Sequence, residues 1–188
     1  MLTKAKKIDI TEAMLQNANI PKRYWSAQIA KIKDGNLRNS LMQILEKLYG
    51  FLEEGKGIFV QGPPGVGKTA FACILLRKAL EYGAYTFFVR AQELVDFYSV
   101  FDKKGFGLWD VLQNADVVVI DDLGKEEMAR SGQKKIEYVL RSRYENSRCT
   151  IVTCALCLEA LREIYPKDFI SLLRRACGCL VSINNSQF

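Results

Sequence analysis

The chain has 188 residues, of which 49% are hydrophobic and 26% charged, with a formal net charge of +6. That length holds one α/β domain with a sizeable core, and the balance excludes a disordered or fibrous chain. No apolar run approaches the roughly 20 residues of a membrane span, and the amino terminus lacks the apolar block of a secretory signal, so the chain is expected in the cytoplasm.

Residues 1–19 read as an amino-terminal arm with a short helix over Thr11–Asn17, capped by Thr11 and anchored by Met14 and Leu15. Ile20-Pro21-Lys22-Arg23-Tyr24-Trp25 follows, and its two aromatics suit either the core or the wall of a base pocket. Asn36–Glu54 is a helix by period, with Leu37, Leu41, Ile44, Leu45, Leu48 and Leu52 at three- and four-residue steps. Ile58-Phe59-Val60 suits a buried strand, and a helix from Thr69 to Tyr82 buries Phe71, Ile74, Leu75 and Leu80.

Ala84–Arg90 is the second strand, Ala91–Phe101 a helix, Asp102–Gly107 a loop and Leu108–Asn114 a short helix. Asp116–Asp122, DVVVIDD, is the third strand; four consecutive branched apolar residues fit a strand covered on both faces. Met128–Ser147 is a long helix with Ile136, Val139, Leu140 and Tyr144 inward. Thr150–Thr153, Leu158–Tyr165, Asp168–Cys177 and Leu180–Ile183 complete the pattern as strand, helix, helix and strand. The alternation predicts a five-stranded parallel sheet with helices on both faces, within one domain over residues 20–188.

Between the first strand and its helix lies Gly62-Pro63-Pro64-Gly65-Val66-Gly67-Lys68-Thr69, which fits the phosphate-loop pattern G-x-x-x-x-G-K-[ST]. Its glycines let the backbone wrap a phosphate, and the helix amino terminus adds partial positive charge. Lys68 is placed to reach the β- and γ-phosphates, and Thr69 to put its hydroxyl on Mg²⁺. Asp121 and Asp122 end a buried strand, at the sheet edge where ligands bind. Asp121 is expected to hold Mg²⁺ opposite Thr69, and Asp122 to position or deprotonate the attacking water. The cofactors implied are ATP or ADP with Mg²⁺.

A complete helix–strand–helix segment separates the loop from Asp121, which leaves room for another strand between the first and third. By analogy this is the additional-strand (ASCE) order of motor-like and AAA+ ATPases. Small nucleotide kinases share the length and the loop, but there is no arginine-rich lid here. Cys154-x-x-Cys157 and Cys177-x-Cys179 have spacings seen at metal sites, yet the chain has no histidine; the six cysteines read as reduced thiols packed as small hydrophobes. Lys103, Lys104, Arg141, Arg143 and Arg148 are the basic residues best placed for DNA.

IPKRYW, GIFVQGPPGVGKTAFA, ADVVVIDDLGKEE, RSRYENSRCTIVTCALCLEAL and FISLLRRAC run in the order of one family. The chain resembles the AAA+ family of bacterial helicase loaders (DnaC type) and transposition helper ATPases (IstB type), from about Ile20 to Ile183. The resemblance implies a P-loop NTPase without a separate lid domain. It also implies a replicative helicase or another replication or transposition protein as partner, non-specific single-stranded DNA, and a homo-oligomer. The chain departs from the family at three places. Ala155 stands where members carry an Asn that senses the γ-phosphate. Leu172 stands where an Arg reaches a neighbouring subunit's nucleotide. The arm is shorter than a helicase-binding domain. The resemblance therefore implies nucleotide binding with weak intrinsic hydrolysis, in a helicase loader, a transposition helper that recruits a transposase to DNA, or a nucleotide-binding regulatory module with little turnover.

Overall fold

Valine and isoleucine fill the strands because branched side chains pack well on a pleated surface, and each strand sends alternate residues to opposite faces. A computed structural model describes residues 7–100, 106–125 and 130–183. The strands are β1 (Ile58–Gln61), β2 (Thr86–Arg90), β3 (Val117–Leu123), β4 (Cys149–Cys154) and β5 (Cys179–Ser182). They form one sheet in the order β2-β3-β4-β1-β5, with every pairing parallel. β4 is the strand inserted between the first and third.

The helices are α1 (Glu12–Asn17), α2 (Gly35–Glu53), α3 (Lys68–Glu81), α4 (Ala91–Val100), α5 (Phe106–Asn114), α6 (Arg130–Glu145), α7 (Leu158–Ile164) and α8 (Lys167–Ala176). Ile58, Val60, Val117, Val119 and Ile151 join the core under α2 and α3. Phe59, Val118, Ile120 and Val152 join the opposite core, under α6, α7 and α8. The period of two thus sorts each strand between two hydrophobic layers.

Thr11 caps α1 by accepting from Met14 N at 3.3 Å. Leu15 and Ala18 are buried in the α2–α3 core, so the arm packs on the domain. It also covers the free edge of β2: Phe88 N donates to Ala18 O at 2.9 Å, and the Asn19 amide donates to Phe88 O at 2.8 Å. Tyr24 and Trp25 pack partly buried against this same core, the first of the two placements open to them.

Two sequence expectations are corrected. Ile136, Val139 and Leu140 are buried, but Tyr144 is 42% exposed and lies beneath the Arg175 guanidinium, 5.9 Å from its ring centre. Arg143, expected as a surface cation, is 1% exposed. Its guanidinium donates to the carbonyls of Leu112, Ala115, Asp116 and Cys149 and to Thr150 Oγ1. It fastens the end of α5 to the starts of β3 and β4. Lys103, Lys104 and the expected start of α6 at Met128 lie outside the described residues.

Cys73, Cys149, Cys154 and Cys177 are buried, Cys179 is partly buried and Cys157 is exposed. Burial pushes the Cys149 thiol up to about 12, and those of Cys73 and Cys177 higher still. Among the described residues no three His, Cys, Asp or Glu side chains are grouped to hold a metal, and no helix is long and apolar enough to cross a membrane.

Candidate functional site

The loop from Gly62 to Gly67 joins β1 to α3 at the carboxyl edge of the sheet. Gly65 and Gly67 have φ of 83° and 106°, a backbone region that side chains disfavour. Gly67 is also the residue before α3, and no side chain caps that helix start. The amide groups of its first turn are therefore available to an anion. Gly62 N donates to Cys154 O at 3.2 Å, which ties the loop's first residue to β4.

Lys68 is 6% exposed, and its ammonium donates to Gly62 O at 2.7 Å and Pro63 O at 2.9 Å. Burial lowers its pKa, while the nearby Asp122 carboxylate opposes that shift. A lysine held across the loop in this way is positioned over the atoms that wrap a phosphate.

Thr69 Oγ1 lies 3.1 Å from each carboxylate oxygen of Asp121. Asp121 is 2% exposed and also accepts from Thr153 Oγ1 at 2.6 Å. Burial raises its pKa most, and Asp122 adds to the rise, against the hydroxyls of Thr153 and Thr69 and the charge of Arg90. An acidic oxygen beside a threonine hydroxyl is a donor set of the hard kind that suits Mg²⁺. The residues present therefore fit a magnesium nucleotide: a glycine loop, a lysine, and a Thr–Asp oxygen pair.

Asp122 is turned away from Asp121. Its φ is 60°, and the β3–β4 register shifts between Ile120 and Leu123. Its amide donates to Thr153 Oγ1 at 3.0 Å and its carboxylate pairs with Lys125 at 3.0 Å. Thr153 thus organises both acidic residues at once, a role not read from the sequence. Its adjacency to the acidic strand appears only once β4 is placed beside β3.

The two departures from the family pattern take physical form here. Ala155 lines a cavity of about 410 Å³ with Gln61, Gly62, Pro63, Pro64, Cys157 and Ile183. Leu172 is 1% exposed and faces the α6–α8 core, whereas Arg174 and Arg175 lie on the outer face of α8.

A parallel sheet with a strand inserted between the loop strand and the acidic strand, closed by a Thr–Asp contact, defines an AAA+ P-loop NTPase fold. The chain belongs to the IstB-like ATP-binding family, whose pattern, IstB-like ATP binding protein, matches residues 11–172. A protein of Pseudomonas fluorescens described as an ATP-binding protein of insertion sequence IS1162 is 30% identical over 108 residues, 56% of this chain and 46% of that protein. Its counterpart from insertion sequence IS5376 of Geobacillus stearothermophilus is 28% identical over 99 residues, 52% of this chain and 39% of that protein. The chain spans less than half the length of these curated relatives. Among solved structures, a DnaC helicase loader superposes with a TM-score of 0.78 at 27% identity, covering 87% of this chain and all 100% of that one. A DnaI structure, at 0.71 and 20% identity over 87% and 94%, shares the fold.

Proposed function

We propose that this chain is a nucleotide-controlled switch of the helicase-loader kind, acting in the DNA replication of a bacterium, phage or mobile element. It binds ATP or ADP through Gly62–Thr69, with Lys68 against the β- and γ-phosphates. Thr69 and Asp121 hold Mg²⁺, which when bound neutralises phosphate charge, and Asp122 orients water. The bound nucleotide sets the affinity for a replicative helicase, and single-stranded DNA is held without sequence preference. Residues 20–188 form the ATPase domain, and residues 1–19 an arm whose Ala18 and Asn19 lie on its β2 edge.

The observation that carries this reading is the likeness to the DnaC helicase loader, which extends over the whole of that chain at 27% identity. Slow hydrolysis follows from Ala155, which has no side-chain hydrogen-bonding group, and from Leu172, which is uncharged and buried. The second reading is a transposition helper that recruits a transposase to DNA, favoured by the two insertion-sequence relatives. Capture of proteins from source-cell extract on the immobilised chain, with ATP, with ADP and with neither, separates them. Nucleotide-dependent retention of a helicase supports the first, and retention of a transposase supports the second.

A further inference from the structure

We propose that Lys125 is a second cation of the phosphate site: its ammonium, paired with Asp122, transfers to the terminal phosphate of ATP and so adds affinity that ADP does not receive. This rests on the nucleotide-binding reading of Gly62–Thr69. Lys125 stands just past the end of β3, and its ammonium lies 3.0 Å from Asp122 Oδ2. The neighbouring Asp121 meets Thr69, the residue after Lys68. The turn that carries Lys125 is fixed at its backbone. Lys125 N donates to Asp122 O at 3.3 Å, and the Cys154 thiol donates to Leu123 O at 3.0 Å. Gly124 packs against Leu156 and Leu161, so closely that an added Cβ would lie 3.1 Å from one methyl and 3.3 Å from the other. The backbone is thus held by β4 and α7, while the ammonium rides on a flexible four-carbon stem.

Lys125 also acts on the lysine of the loop. Among the charges around Lys68, Asp122 supports its ammonium most and Lys125 comes next, opposing it. Two cations therefore share the surroundings of one carboxylate. Lys68 is 6% exposed and tied to Gly62 O and Pro63 O, so it has little freedom to move. The Lys125 side chain is 53% exposed, and an exposed pair of this kind contributes little to folding, so little is lost when it leaves Asp122. A phosphate beside Lys68 repels the Asp122 carboxylate, and the mobile cation is the one that can turn to the new charge. The terminal phosphate is the one concerned. The water that Asp122 orients attacks that phosphorus, so a cation 3.0 Å from Asp122 stands on the same side of the nucleotide. Transfer of the ammonium to phosphate leaves the Asp122 carboxylate to the water.

The test is calorimetry with Mg²⁺ and either ADP or a non-hydrolysable ATP analogue. Lys125→Met is expected to weaken the analogue about tenfold or more, the worth of a hydrogen bond between charged groups, and to leave ADP within about twofold. Lys125→Arg, which keeps the charge, is expected to retain most of the affinity for the analogue. The loss in Lys125→Met is expected to persist when Asp122→Asn is the starting protein, because the contact is with phosphate. A loss that vanishes in that background shows that Lys125 acts only by neutralising Asp122, and overturns the proposal. Equal losses for both nucleotides, or no loss for either, also overturn it. If the wild-type chain binds neither nucleotide, the reading of the loop itself has failed, and that result is distinct because it precedes any substitution.

Discussion

Thr69 and Asp121, 52 residues apart in sequence, meet with the threonine hydroxyl 3.1 Å from both carboxylate oxygens. The contact joins the start of α3 to β3, although β4 lies between β3 and β1, the strand that leads into α3. Thr153, from that intervening strand, completes the cluster at 2.6 Å from Asp121.

Burial holds Asp121 at a raised pKa, so its ionised form destabilises the fold. The folded state keeps that proton after the unfolded chain has lost it. Stability from this group is therefore present below the ordinary carboxyl value of 3.8 and lost as the pH rises through the higher folded value. Asp121→Asn is expected to raise the melting temperature at neutral pH by a few degrees without ligand, and to remove the Mg²⁺ dependence of nucleotide binding. Thermal melts with and without Mg²⁺ and ATP check both.

Arg143 tests the fold rather than the site. Its charge is buried, and burial lowers its pKa to about 10 while leaving it charged at neutral pH. Arg143→Lys cannot reproduce five donors in a fork and leaves several buried carbonyls unpaired. The expected loss is about 3 kcal/mol or more, read from urea unfolding. A change within about 0.5 kcal/mol, the range of an ordinary surface substitution, would contradict the buried network.

What the sequence made legible is what depends on local spacing. The loop, its strand and its helix are contiguous, so their geometry is set by glycines and period. Asp121 and Asp122 were marked by the apolar run before them. Arg143 was misplaced because a cation near a helix end resembles a solvated one. The helix phase placed Arg143 inward: Ile136, Val139, Leu140 and Arg143 fall at i, i+3, i+4 and i+7, while Tyr144, at i+8 on the edge of the same stripe, is 42% exposed. Thr153 was out of reach for another reason, since its partners come from a strand distant in sequence and adjacent only once the sheet order is known.

Turnover is expected to be slow. Ala155→Asn is expected to raise kcat. Leu172→Arg is expected to lower stability instead, because position 172 is buried and a charge there is unpaired. A trans-acting cation on α8 has to come from the outer face. If one operates, Arg174→Ala or Arg175→Ala lowers the rate, and an arginine finger is worth roughly 10³–10⁵. Steady-state ATPase assays across a range of protein concentrations check this, since a contribution from a second subunit grows with assembly.

DNA binding is expected to be weak, independent of sequence and sensitive to salt. Several cations are already engaged: Arg148 with Asp116, Arg141 with Glu137, Arg90 with Glu93, and Arg143 inside the fold. The three arginines expected at DNA, Arg141, Arg143 and Arg148, are thus each committed within the protein, which weakens their displacement of counterions from phosphates. Titrations on single- and double-stranded oligonucleotides at two salt concentrations check it. Strong preference between two duplexes of equal length would reveal a base-reading element.

The most direct measurement is calorimetric titration of ATP and ADP into the wild-type chain and into Lys68→Ala, with Mg²⁺. The substitution removes the ammonium that lies 2.7 Å from Gly62 O and 2.9 Å from Pro63 O, at the mouth of the loop. The expected result is tight binding of both nucleotides by the wild type and loss of the tight component in the variant, with the fold intact by circular dichroism. Equal affinity in the two proteins would contradict the assignment of Gly62–Thr69 as the nucleotide site.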